Sequence, residues 1–140
     1  MASILLIEDD EQLRRLLREV LERAGYQIRE APNGQEGIRS YRMQPADLII
    51  CDLAMPGKGG IQTLQELLPE FPSLKAIMMS GFTQQFGATS RVLTSQLGVS
   101  CILAKPFDLS HMLELVEQLL VGPISQVTQP GVVSSQYVSL

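Results

Sequence analysis

Leu48-Ile49-Ile50-Cys51-Asp52-Leu53-Ala54-Met55-Pro56 is the stretch that decides the fold. Its apolar start reads as a strand buried on both faces, and the run stops at a carboxylate. Pro56, Gly57, Gly59 and Gly60 then make a loop. Asp52 is therefore expected at the carboxyl end of a strand, where open α/β sheets place their chemistry. It is the leading candidate for a functional residue.

On either side of this central strand (Ala46–Cys51) the chain alternates between two periods. Ser3–Ile7 is a short apolar strand that ends in Glu8-Asp9-Asp10. Leu13, Leu16, Leu17, Val20, Leu21 and Ala24 form one helical face, closed by Gly25. Tyr26–Ala31 is a more polar strand, expected at a sheet edge. Asn33 and Glu36 resemble a capping box opening a helix that runs to about Met43. Ile61, Leu64, Leu67 and Leu68 mark a third helix, stopped by Pro69 and Pro72. Leu74–Met79 is an apolar strand followed by Ser80-Gly81, and Ser100–Leu103 is another, followed by Lys105-Pro106. The polar segment 82–98 reads as a weak helix, and Asp108 caps a final helix with Leu109, Met112, Leu113, Val116, Leu119 and Leu120 inward. Strands that alternate with helices in this way predict a parallel sheet covered on both faces, with right-handed crossovers.

Composition limits the function classes. At 140 residues and 45% apolar content, one globular domain with a real core is expected. A net charge of -4 and the lack of a Lys/Arg cluster argue against a nucleic-acid surface. Arg14, Arg15 and Arg18 alternate with acids and read as a solvated helix face. No apolar run approaches the roughly 20 residues of a membrane span, and no signal peptide is legible, so a cytoplasmic protein is expected. Cys51 and Cys101 read as buried thiols rather than a disulfide or zinc site. Residues 1–121 are expected to form the domain. Residues 122–140, rich in Gly, Pro, Ser, Gln and Val, read as a flexible or loosely docked tail.

The residues that follow the strands carry the chemistry. In a parallel sheet Glu8, Asp9 and Asp10, then Asp52, Ser80 and Lys105, all emerge at one edge. Carboxylates brought together repel one another unless a cation neutralises them. Oxygen-only donors without His or Cys favour a hard ion, Mg²⁺ above all. A carboxylate nucleophile, a magnesium ion, an ammonium and a hydroxyl are the parts needed to accept a phosphoryl group.

Ile7-Glu8-Asp9-Asp10, Asp52-Leu53-Ala54-Met55-Pro56 with Gly60, Ser80-Gly81 and Lys105-Pro106-Phe107 together resemble the receiver domain of bacterial two-component response regulators. That resemblance implies a flavodoxin-like (βα)5 fold with strand order 2-1-3-4-5. It implies that Asp52 is the phospho-acceptor, with Mg²⁺ held by Glu8, Asp9, Asp52 and the carbonyl of Ala54. Ser80 would hydrogen-bond the phosphoryl group, Lys105 would pair with it, and the Lys105-Pro106 peptide would be cis. The implied partners are a sensor histidine kinase or histidine phosphotransfer protein and a downstream protein effector, with a phosphorylation-dependent dimer left open. The resemblance also implies a signalling switch rather than an enzyme acting on external substrates.

Two positions depart from the family pattern. Ile102 stands where an aromatic residue usually rotates during switching, and the interval from Ser80 to Lys105 is slightly long. A magnesium phosphohydrolase with Asp52 as nucleophile is the enzyme-class alternative, weakened by Ala54 at the position where a second acid is common. An unphosphorylated docking scaffold is the interaction-class alternative. His111 and Lys58 read as surface residues.

Overall fold

The computed structural model describes residues 1–81 and 99–121. The elements run β1 (Ser3–Ile7), α1 (Glu11–Arg23), β2 (Gln27–Ala31), α2 (Gly34–Met43), β3 (Leu48–Asp52), α3 (Gly60–Leu67), β4 (Ala76–Ser80), β5 (Cys101–Ala104) and α4 (Leu109–Leu120). The helix expected within 82–98 and the tail at 122–140 lie outside the described residues. The strands form one parallel sheet of order β2-β1-β3-β4-β5, the flavodoxin-like order. β2 is an edge strand, as its polar composition requires.

Alternation along each strand divides the core into two layers. Leu5, Ile7, Ile49, Cys51, Met78 and Ile102 face α2 and α3, where Ile38, Tyr41, Leu64 and Leu67 meet them. Ile4, Leu6, Ile50, Met79, Cys101 and Leu103 face α1 and α4, against Leu17, Leu21, Met112, Leu115 and Val116. β1, β3, β4 and β5 are buried on both faces along nearly their whole length, which explains their unbroken apolar runs. Cys51 and Cys101 are both buried and unpaired, on opposite faces of the sheet. Ile102 is fully buried among these aliphatic side chains.

Several boundaries differ from the sequence reading. β3 runs through Asp52 and β4 through Ser80, so both polar residues occupy the last positions of their strands. β4 starts at Ala76 rather than Leu74, because pairing with β3 begins at Ile49↔Ala76 while the Leu74 N–H turns back to the Phe71 carbonyl at 3.0 Å. Asp108 does hold the N-cap position of α4, but its side chain makes no capping hydrogen bond. Asn33 makes one half of the expected box, accepting the Glu36 N–H at 2.8 Å. Lys58 is half-buried rather than free, ion-paired with Glu66 on α3. His111 is half-buried as well, with its Nε2 shielded from solvent. Among the described residues no helix is long and apolar enough to cross a membrane.

The loop after β3 is set by close packing. A Cβ on Gly60 would stand 2.7 Å from the Asp52 carbonyl oxygen and 3.1 Å from Leu53 Cα. One on Gly34 would stand 2.6 Å from the Lys58 carbonyl oxygen, so the first turn of α2 leans on this loop. Both obstacles are backbone, which cannot rotate away. Gly60→Ala is therefore expected to cost ~1–3 kcal/mol, read as a lower denaturant midpoint at unchanged m-value.

Candidate functional site

Register brings the site together. Ile7 pairs with Cys51, so Glu8 follows directly beside Asp52, and Ser80 pairs with Ala104, so Lys105 follows one residue beyond β4. Glu8, Asp52 and Lys105 share strand parity with Leu6, Ile50 and Leu103, and so emerge on the same side of the sheet edge. Backbone bonds lengthen the ladders there: Glu8 N–H donates to the Ala31 carbonyl (3.1 Å), Leu53 N–H to Met79 (2.7 Å) and Lys105 N–H to Ser80 (2.7 Å). The Lys105-Pro106 peptide is cis.

Lys105 closes the cluster. Its Nζ donates to Glu8 Oε1 and to Asp52 Oδ2, each at 3.0 Å. Glu8 has no exposed surface and Asp52 is 6% exposed. Glu8 Oε2 accepts the Asp10 N–H at 3.0 Å, and Asp52 Oδ1 accepts the Ala54 N–H at 3.3 Å. Asp9 is exposed at the rim. Glu8, Asp9 and Asp52 each bring a carboxylate oxygen to within 4.8 Å of the other two. Ser80 is buried at the neighbouring strand end.

Of the residues expected to form the site, Glu8, Asp9, Asp52 and Lys105 thus converge, and Ala54 and Ser80 flank them. Asp10 lies apart in role. Its Oδ1 accepts the N–H groups of Gln12 (3.0 Å) and Leu13 (3.3 Å), capping α1. Arg14 corrects the reading of a solvated arginine face. It lies largely covered between α1 and β2, whereas Arg15 is exposed as expected. Nothing in the sequence distinguishes these two arginines except that Arg14 flanks the apolar stripe.

Burial dominates the electrostatics. It raises the Glu8 carboxyl to about 7, against the lowering effect of the Asp10 N–H and Lys105, with the Asp52 charge adding to the rise. Burial alone would lower Lys105, but its hydrogen bonds to Asp52 and Glu8 outweigh this and hold the ammonium above its ordinary value. Burial, with the Asp52 and Glu8 charges, pushes the Cys51 thiol far up and leaves it inert beside the site.

The shift at Glu8 has a consequence for stability. Between its ordinary value of 4.5 and about 7 the folded chain binds a proton that the unfolded chain has released. Stability of the metal-free protein therefore falls as pH rises through that window, and the loss is complete above it. Glu8→Gln should remove the loss. Chemical denaturation with chelator present is expected to show this variant ~2–3 kcal/mol more stable than wild type at pH 8 and nearly equal at pH 4.

Three carboxylates share one half-buried ammonium, so negative charge is in excess, and the carboxylate oxygens are hard donors suited to a hard cation. Comparison with known proteins agrees with this chemistry. The family model for the response regulator receiver domain matches residues 4–117. Protein CcdB of Bacillus subtilis is 33% identical over 121 residues, which cover 86% of this chain and 98% of that protein. The response regulator receiver protein CpdR of Brucella abortus is 30% identical, covering 87% of this chain and 99% of its own length. Among solved structures, the response regulator TrrA of Thermotoga maritima in complex with Mg²⁺-BeF superposes with a TM-score of 0.76 at 29% identity, covering 86% of this chain and all of that one (100%). The match runs across the whole sheet and its acidic edge, and the chain belongs to the response regulator receiver domain family of two-component signalling proteins.

Proposed function

We propose that Asp52 accepts a phosphoryl group from a histidine kinase or histidine phosphotransfer protein, and that the modified chain binds a downstream protein. The observation that carries this is the convergence of Glu8, Asp9 and Asp52 around Lys105, whose Nζ spans the two buried carboxylates. An Asp52 carboxylate oxygen attacks phosphorus, a new P–O bond forms, and the P–N bond to the donor histidine breaks, its electron pair leaving on the imidazole nitrogen. Lys105 exchanges its bond to the free Asp52 oxygen for one to a phosphoryl oxygen, and Ser80 contributes its hydroxyl.

Glu8, Asp9, Asp52 and the Ala54 carbonyl would hold Mg²⁺, and the donor set fits a hard ion that prefers oxygen and retains water. When bound, that ion neutralises charge on the phosphoryl oxygens. TrrA, solved with Mg²⁺-BeF, is the relative whose ligand supports this assignment. A kinase partner that draws on ATP implies a cytoplasmic protein. Ala54, exposed beside Asp52, offers no acid or base to turn over external esters, so the chain is a phospho-acceptor rather than an enzyme.

Incubation with acetyl phosphate and Mg²⁺ tests this by intact mass. One phosphoryl group per chain is expected, and none with chelator present. Sustained multiple turnovers of a generic phosphate ester would overturn the assignment in favour of a hydrolase. Mg²⁺ binding without phosphoryl uptake would point instead to a docking scaffold.

A further inference from the structure

Asp52 ends a central strand, whereas Glu8 and Asp9 stand in the turn after β1, so the spacing of the three carboxylates depends on how that turn is held. Both backbone polar groups of Glu8 are tied to β2. Its N–H donates to the Ala31 carbonyl at 3.1 Å. Its carbonyl accepts Nη1 of Arg14 at 2.8 Å, while Arg14 Nε donates to Glu30 Oε1 at 2.9 Å. The side chains of Arg14 and Glu30 are 16% and 23% exposed, and the second Glu30 oxygen is held by Arg18. A fork of donors thus bridges the end of β1 to the side of β2, a geometry that a point-charge ammonium cannot reproduce.

We propose that Arg14 is a positioning residue for the metal site: by holding the Glu8 carbonyl against Glu30, it keeps the turn carrying Glu8 and Asp9 at a spacing that binds a divalent cation. The inference rests on the proposed Mg²⁺ site. It also has a sign that simple electrostatics reverses. Removing a cation from the neighbourhood of an acidic site should tighten Mg²⁺ binding through charge alone, whereas loss of positioning should weaken it.

Calorimetric titration with MgCl₂ tests the point on wild type, Arg14→Met, Arg14→Lys and Glu30→Gln, with Arg42→Met as control. Arg42 pairs with Glu70 at 2.5 Å, so its loss removes a more exposed arginine–glutamate pair that does not touch Glu8, Asp9 or Asp52. Arg14→Met is expected to weaken Mg²⁺ binding about tenfold, with Arg14→Lys and Glu30→Gln intermediate and Arg42→Met unchanged. Phosphoryl uptake at saturating Mg²⁺ should stay near the wild-type rate, so the loss appears in metal affinity alone. Should Arg14→Met fail to fold, Arg14→Lys and Glu30→Gln carry the same test. Equal or tighter binding by the Arg14 variants overturns the inference while leaving the metal site intact, as does an equal loss in Arg42→Met. No Mg²⁺ binding by wild type overturns the metal site and this inference together.

Discussion

Asp52→Asn is expected to lower phosphoryl uptake from acetyl phosphate and Mg²⁺ by ~10³-fold or more. The amide keeps the shape of the side chain and can still accept the Ala54 N–H, but it loses the charge and the nucleophilic oxygen pair. Glu8 remains to hold Lys105, so the fold has no reason to fail. Stability should hold or rise, because one of two adjacent buried carboxylates has gone. Loss of uptake with an unchanged or higher thermal midpoint is therefore the expected pair of observations. Uptake at the wild-type rate by this variant would mean that another group takes the phosphoryl.

Lys105→Met is expected to have the largest effect on stability. Lys105 donates to both Glu8 and Asp52, and removing it leaves two buried carboxylates without that compensating charge. The metal-free variant should lose ~3–5 kcal/mol at pH 8. The penalty should be smaller at pH 5 than at pH 8, because loss of Lys105 raises the Glu8 carboxyl further and protonation discharges it, and Mg²⁺ should restore part of the loss by binding the folded state. Denaturant melts at pH 8 and pH 5, with and without Mg²⁺, read all three effects. A uniform loss at both pH values would show that Lys105 contributes through packing rather than charge.

What could be read from the sequence follows from how buried parallel strands are written. Four strands with both faces covered must be apolar throughout, so the acids and the lysine that end them stand out, and the alternating pattern fixes the edge at which they meet. Glu8, Asp9, Asp52 and Lys105 were legible for that reason. Strand ends were not, because they are set by the partner: Leu74 looks as apolar as β4, yet pairing starts only at Ala76. Arg14 was misread because a helical arginine among acids is usually solvated, and the glutamate that covers it lies sixteen residues on, within β2. His111 was misread for the same reason, since which face of α4 is covered depends on tertiary packing and not on helical period alone.

We propose that Asp52, and no neighbouring acid, carries the phosphoryl group. An acyl phosphate is reduced by borohydride to an alcohol, whereas a free carboxylate is untouched, so the reaction marks the acceptor as homoserine. Phosphorylation with acetyl phosphate and Mg²⁺, borohydride reduction and peptide mapping should find homoserine at position 52 alone. A reduced side chain at position 9 or 10 with Asp52 intact, or a phosphoryl group that borohydride does not remove, would show that Asp52 is not the acceptor.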